Sequence, residues 1–206
     1  MKKIILSIVL LTTFLCFSQN ESDNKDINKN SGFFNITKIG YITNTSVKQE
    51  LFIEGEGNIF SELDNSNSHA WSLQTINGYF ISPYFSLGIA IGLDGYHNPN
   101  FNTLPVMLDI RTYMSDEEDS LYAFLDIGPS LRIGGENSEL RKGMAFNIGI
   151  GYKFKVGNNP FLISDLAFSH KTVSLTDEGI RTSDNIIKAN GIGLNLGIIF
   201  WHQNGK

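Results

Sequence analysis

Four histidines, His69, His97, His170 and His202, are the side chains with the widest chemical reach in this 206-residue chain. Their spacing commits them to nothing. They lie far apart, in or beside loop sequence, without a helical HExxH pair or alternation with cysteine, and read as surface histidines. His170 alone has neighbours suited to catalysis: in SHKTVS it is followed by Thr172 and Ser174, and Glu178 is the nearest carboxylate able to orient it. A hydroxyl nucleophile needs a base within hydrogen-bond reach and a third group to hold that base. The glycine series at 149–152 and 191–197 lack the helix that must follow a phosphate-cradling turn, and fit small residues facing a narrow interior instead. SDEEDS at 115–120 has the composition of a calcium loop without its ligand spacing or central glycine, and reads as a solvated turn. No cofactor and no metal is expected from these patterns.

The remaining chemically capable residues are charges, and their positions are more informative. Asp94, Asp109, Arg111, Asp126, Arg132, Lys153, Lys155 and Asp165 all fall inside segments of period-two alternation. In five of these segments the opposite phase is uniformly bulky: Phe85 to Leu93, Leu104 to Met114, Leu121 to Ile133, Met144 to Val156 and Ile192 to Phe200. None of those positions carries a charge, although 18% of the chain is charged. Alternation of this kind defines half-buried strands, with one face in an apolar medium. Eight are expected, at about 32–44, 70–82, 85–95, 103–114, 120–133, 143–156, 160–173 and 189–201. The connections between them alternate short and long, which places tight turns at one end of an up-and-down array and loops at the other. Residues 47–54 are expected either to extend the first strand or to form an extra hairpin. Pro129 is expected at a bulge, since it removes a ladder hydrogen bond. Lys38 and Asp165 fit the alternation poorly. Tyr79, Tyr84, Phe85, Phe154, Phe161 and Phe200 are expected to form girdles near strand ends.

Size decides which face is dry. An eight-stranded barrel has an interior just wide enough for side chains to fill it. The bulky phase cannot all fit there, whereas the other phase is rich in Gly, Ala, Ser and Asn and holds acids and bases that can pair. An apolar exterior around a polar, plugged interior is a transmembrane β-barrel, and strands of this length suit a tilted crossing of a bilayer. A soluble periplasmic barrel holding a small apolar ligand is the alternative with the faces reversed.

The chain begins with Lys2 and Lys3, an apolar run from Ile4 to Leu15 and the small-x-small site Cys16-Phe17-Ser18, which reads as a secretory signal peptide over 1–18. Lipidation at Cys16 is disfavoured by Leu15 directly before it. Cleavage would remove the single cysteine, leaving no disulfide and no thiol chemistry. Residues 19–31 read as a flexible arm, 32–201 as the barrel and 202–206 as a tail. With 16 basic against 21 acidic residues, two of the lysines in the leader, nucleic acid is not an expected partner.

The stretches SLQTINGY at 72–79, SPYFSLGIAIGLDGY at 82–96, LPVMLDIR at 104–111, FNIGIGYKF at 146–154 and the final GLNLGIIF resemble small outer-membrane β-barrel proteins of Gram-negative bacteria, the OmpA/OmpX-like barrel class. The resemblance covers nearly the whole of the expected mature chain. It implies an all-β, monomeric, eight-stranded antiparallel barrel in outer-membrane lipid, inserted by the barrel-assembly machinery, with Phe200 near the C-terminus as a recognition signal. Its motifs are strand repeats and specify fold better than activity. The expected role is structural or surface interaction without catalysis, the eight charges above forming an interior network. A lipid A deacylase-like hydrolase using His170 is the catalytic alternative; such barrels place a serine two residues from the histidine, where this chain has Thr172.

Overall fold

Alternating side chains can satisfy two different media at once only if the sheet that carries them has no open edge. In the computed structural model, which describes residues 30–134, 141–156, 160–174 and 185–202, the edge is removed by closure. The strands are β1 (Gly32–Ile53), β2 (Gly57–Glu62), β3 (His69–Ser82), β4 (Phe85–His97), β5 (Phe101–Tyr113), β6 (Ser120–Ile133), β7 (Arg141–Lys155), β8 (Phe161–Ser174) and β9 (Asn185–His202). Each pairs antiparallel with its neighbour in the order β2-β1-β3-β4-β5-β6-β7-β8-β9, and β9 pairs back onto β1. β1 and β3–β9 therefore form a closed eight-stranded barrel, while β2 stands outside the count. The expected leader and residues 203–206 of the expected tail lie outside the described residues, as does nearly all of the arm, while His202, expected in the tail, ends β9.

Residues 47–54 both lengthen the first strand and make a hairpin. β1 pairs with β3 from Gly32↔Phe80 to Thr43↔His69, then with β2 from Lys48↔Glu62 to Ile53↔Gly57. On its other side β1 follows β9 as far as Leu51↔Asn185, with a register shift between Asn44 and Ser46. The hairpin turn is made by Glu54, Gly55 and Glu56, where Gly55 has a φ of 92° that an L side chain rarely adopts.

The faces separate as the alternation requires. Ser86, Gly88, Ala90, Gly92 and Asp94 of β4 are buried in the barrel, while Ile89, Ile91 and Leu93 are exposed outside it. Ile148 is exposed in the same way, and Asp109 and Lys153 are fully enclosed. Apolar side chains also fill both ends of the interior. Phe34, Phe80, Tyr113 and Phe161 belong to a cluster toward the tight-turn end, and Ile42, Val47, Tyr96 and Phe101 to one toward the loop end.

Two expectations about individual residues fail. Phe161 is buried within the barrel, because β8 turns its odd-numbered residues inward. Pro129 makes no bulge. Its register with β7 is unbroken at Pro129↔Met144, and toward β5 the pairs Pro105↔Ser130 and Leu108↔Ile127 share one register with a gap between them. Without an N–H, Pro129 is accommodated by dropping ladder pairs, and the adjacent Gly128 lets the two backbones close: a Cβ there would sit 2.2 Å from the Val106 carbonyl oxygen.

An outward belt of this composition is stable in hydrocarbon and penalises charge according to depth. Leu194→Arg, in the middle of β9, is expected to cost roughly 2–4 kcal/mol, and Thr45→Arg, near the loop end, about 0–1 kcal/mol. Urea titration of protein refolded into lipid vesicles measures both; equal losses at the two depths would contradict the belt.

Candidate functional site: the enclosed charge network

Residues two apart on a strand share a face, so Asp109 and Arg111 of β5 both point into the barrel. Arg111 lies along its own strand and donates from Nε to Asp109 Oδ1 and Oδ2 at 2.9 and 3.0 Å, and from Nη2 to Oδ2 at 2.9 Å. Its guanidinium lies against the rings of Tyr122 and Phe124, centroids 5.2 and 5.3 Å away. Across the ladder, Asp109 is directly opposite Asp126 of β6. Two carboxylates in that position repel, and the surrounding cations and donors offset the repulsion.

Lys38 supplies the second cation. Its Nζ is 3.9 Å from Asp126 and 3.6 Å from Asp165, and 4.5 Å from the centre of the Phe124 ring. Gln74 donates to Asp126 at 3.3 Å, Tyr122 donates its hydroxyl to Asp165 at 3.1 Å, and Asn195 donates to the other Asp165 oxygen. Closer to the loop end Lys171 pairs with Asp94, which also accepts from Thr103 at 3.2 Å. Between these groups is a cavity of about 20 Å³, lined in part by Lys38, Gln74, Asp94, Asn147 and Lys171. That is close to the space one water requires.

At the tight end Lys153 is fully enclosed and donates to Asn30 Oδ1 at 2.7 Å and to the Glu117 carbonyl at 3.0 Å. Asn30 in turn donates to the Pro83 carbonyl at 2.8 Å. Asn30, two residues before β1, is thereby drawn across the barrel mouth and buried.

The structure brings together Asp94, Asp109, Arg111, Asp126 and Asp165 with their partners, and encloses Lys153 nearby. Lys155 is different. It is exposed at the last position of β7, one pleat beyond Lys153, and pairs with Glu118 of the neighbouring turn. Its phase is right and its depth is wrong. Arg132 is half-buried near the loop end of β6, far along the strand from Asp126. Two cations absent from the sequence-based set, Lys38 and Lys171, carry much of the pairing. Lys171 is an even six residues from Asp165, which was the available signal; Lys38 shares parity with Phe34 and Ile36, whose bulk hid the inward phase of β1.

On the outside of β8, His170 Nδ1 is 2.5 Å from Asn190 Oδ1, and Thr172 on the same face accepts the Met144 N–H at 2.8 Å. Glu178 lies outside the described residues. His69 and His97, distant in sequence, stand directly opposite each other on β3 and β4.

A closed eight-stranded antiparallel barrel with an apolar exterior and paired charges within is the fold of small outer-membrane β-barrel proteins. The outer membrane protein OprG from Pseudomonas aeruginosa matches it with a TM-score of 0.52 at 10% identity, over 85% of this chain and 99% of that one. The outer membrane protein AlkL, solved in DMPC lipid bilayers, matches with a TM-score of 0.51 at 16% identity, over 91% of this chain and 99% of that one. At these identities the likeness is one of fold. No family model and no curated protein matches the sequence.

Breaking the Asp109–Arg111 pair from one side leaves a buried charge without its partner, which typically costs about 3–5 kcal/mol. Arg111→Leu is expected to lose stability on that scale, and Asp109→Leu combined with Arg111→Leu to recover most of it. The urea midpoints of the single and double variants, read by the heat-dependent shift in gel mobility, make the comparison.

Proposed function

We propose that this chain is an integral outer-membrane protein that passes no solute along its axis and acts through its loop end, exposed at the cell surface, without catalysis. The observation that carries the reading is the segregation of charge. Asp94, Asp109, Arg111, Asp126, Lys153 and Asp165 are enclosed, while Ile89, Leu121, Ile148, Leu166 and Leu194 are presented outward. Moving such a surface into water would expose a wide apolar belt, whereas in a bilayer the belt is solvated and the closed sheet leaves no open edge. The interior supports a plugged barrel, since Arg111, Tyr122, Lys153 and Ile163 occupy its cross-section as fully buried side chains. Outer-membrane lipid and the barrel-assembly machinery are the partners this reading requires, and export would depend on the leader at 1–18. An extracellular partner would meet the β1–β2 hairpin, where Phe60 is 69% exposed.

One observation favours a second reading. Asn190 holds the ring of His170 by Nδ1, leaving Nε2 available as a base on the outward face of β8. Thr172 lies two residues along on that face, but its oxygen is engaged by a backbone N–H. This arrangement supports a lipid-modifying hydrolase less well than it supports a structural histidine.

Membranes washed in carbonate are expected to retain the protein, with detergent required to release it and gel mobility dependent on heating; release by carbonate would favour the soluble alternative. Purified barrels are expected to give no stepwise conductance in planar bilayers. His170→Ala is expected to leave the acyl pattern of lipid A unchanged, and loss of a modification in that variant would establish the hydrolase.

A further inference from the structure

Pairing of β3 with β4 brings together two imidazoles that the sequence separates by most of a hairpin. His69 opens β3, His97 closes β4, and the two are the first pair of the β3–β4 ladder at the loop end. Both side chains leave the same outward face. Their ring centroids are 5.0 Å apart with planes inclined by 34°. With metal–nitrogen bonds of about 2.0–2.1 Å and a near-tetrahedral angle, two imidazoles on one ion have ring centres roughly 5 Å apart. The backbone register thus sets the spacing that chelation needs.

The tautomer of the neutral His69 ring is also set. Its Nδ1 lies 3.0 Å from the Asn67 carbonyl oxygen. A carbonyl only accepts, so Nδ1 carries the hydrogen and, in the neutral ring, Nε2 has the lone pair. A histidine that donates one ring N–H to a backbone carbonyl and presents the other nitrogen is in the form that binds metals, with its tautomer and orientation fixed. The ring is further held by Tyr41, stacked on it at 5.5 Å. The loop before β3 is tied to the turn after β4, because Asn98 donates to the Asp64 carbonyl at 3.2 Å. The Asp64 carboxylate accepts from the Ser66 backbone N–H and then from its hydroxyl, which holds it below the usual carboxylate range and locks the turn.

We propose that His69 and His97 form a cross-strand chelate for a divalent late transition metal such as Ni²⁺ or Zn²⁺, for which imidazole is a suitable ligand. The ion would join β3 to β4 at the loop end. Two protein nitrogens leave its other positions open to water or to a donor from outside the barrel, so the site is exchangeable and belongs to the surface.

The untagged mature chain, refolded in detergent, is titrated with nickel chloride by calorimetry, and the temperature of its gel-mobility shift is measured with and without the ion. One ion per barrel and a higher shift temperature are expected. His69→Phe retains a ring against Tyr41 and removes the ligand; it is expected to weaken binding at least tenfold, as is His97→Gln. Both variants should still show the mobility shift without nickel, which demonstrates that they fold. His170→Gln should bind like the parent chain. Absence of saturable uptake, unaltered binding in His69→Phe, or an equal loss in His170→Gln would each overturn the chelate.

Discussion

The pairing of β9 with β1 is the constraint on which the rest depends. A strand in hydrocarbon has no water to satisfy its N–H and C=O groups, so the sheet must meet itself. Closing eight strands fixes a lumen about as wide as the side chains that fill it. From that width follow the small residues of the inward phase. A Cβ at Gly151 would lie 2.4 Å from the Tyr122 ring and 2.7 Å from the Asp165 Cβ, so the space is already taken by its neighbours. It also follows that a charge placed inside must find its partner inside, since bulk water is distant and a lone buried charge costs several kcal/mol.

The interior meets that demand by stratification. Aromatic and aliphatic side chains close each end, and the ion pairs occupy the layers between them. Arg111 and Lys38 each rest against Phe124 while reaching carboxylates, so one ring serves two cations. The outward belt shows the complementary economy. Its polar break on β1 and β3 is made of Asn35, Thr37, Thr75 and Asn77, which hydrogen-bond to one another across the ladder. Polar groups facing an apolar medium are tolerated where they satisfy each other.

These two features explain what was legible in the sequence. Five of the strands announced themselves because one phase was bulky and the other small or charged, and the limits of β6 and of the less cleanly alternating β8 lie within a residue of expectation. β1 was harder to read. Inward Phe34 and Ile36 belong to the end cluster, outward Asn35 and Thr37 to the polar break, and the two together erase the contrast on which period-two reasoning relies. Lys38 therefore looked misplaced when it was in phase. Lys155 shows the converse limit: alternation gives the face of a residue but not its depth, and a lysine at a strand end reaches the turn instead of the lumen. The opposition of His69 and His97 depends on register, which is set by how the whole hairpin aligns and is not visible in local spacing.

Depth can be recovered from the structure by asking where outward charges begin. A tilted membrane strand needs about 9–11 residues, and β1 has 22. Along it the outward side chains run from Phe33 to Thr43 without a charge, and then Lys48 pairs with Glu62 and Lys188 with Glu50. At the opposite end the boundary lies between Tyr152 and the Lys155–Glu118 pair. Rings mark both limits, Phe33 against Tyr79 below and Tyr41 against Trp71 above. On this measure the whole β1–β2 hairpin stands beyond the apolar belt, and His69 and His97 sit at its edge, level with the upper rings. A strand continued past the apolar belt by pairing with both β2 and β9 is stiffened on two sides, which makes the hairpin an ordered projection from the barrel wall.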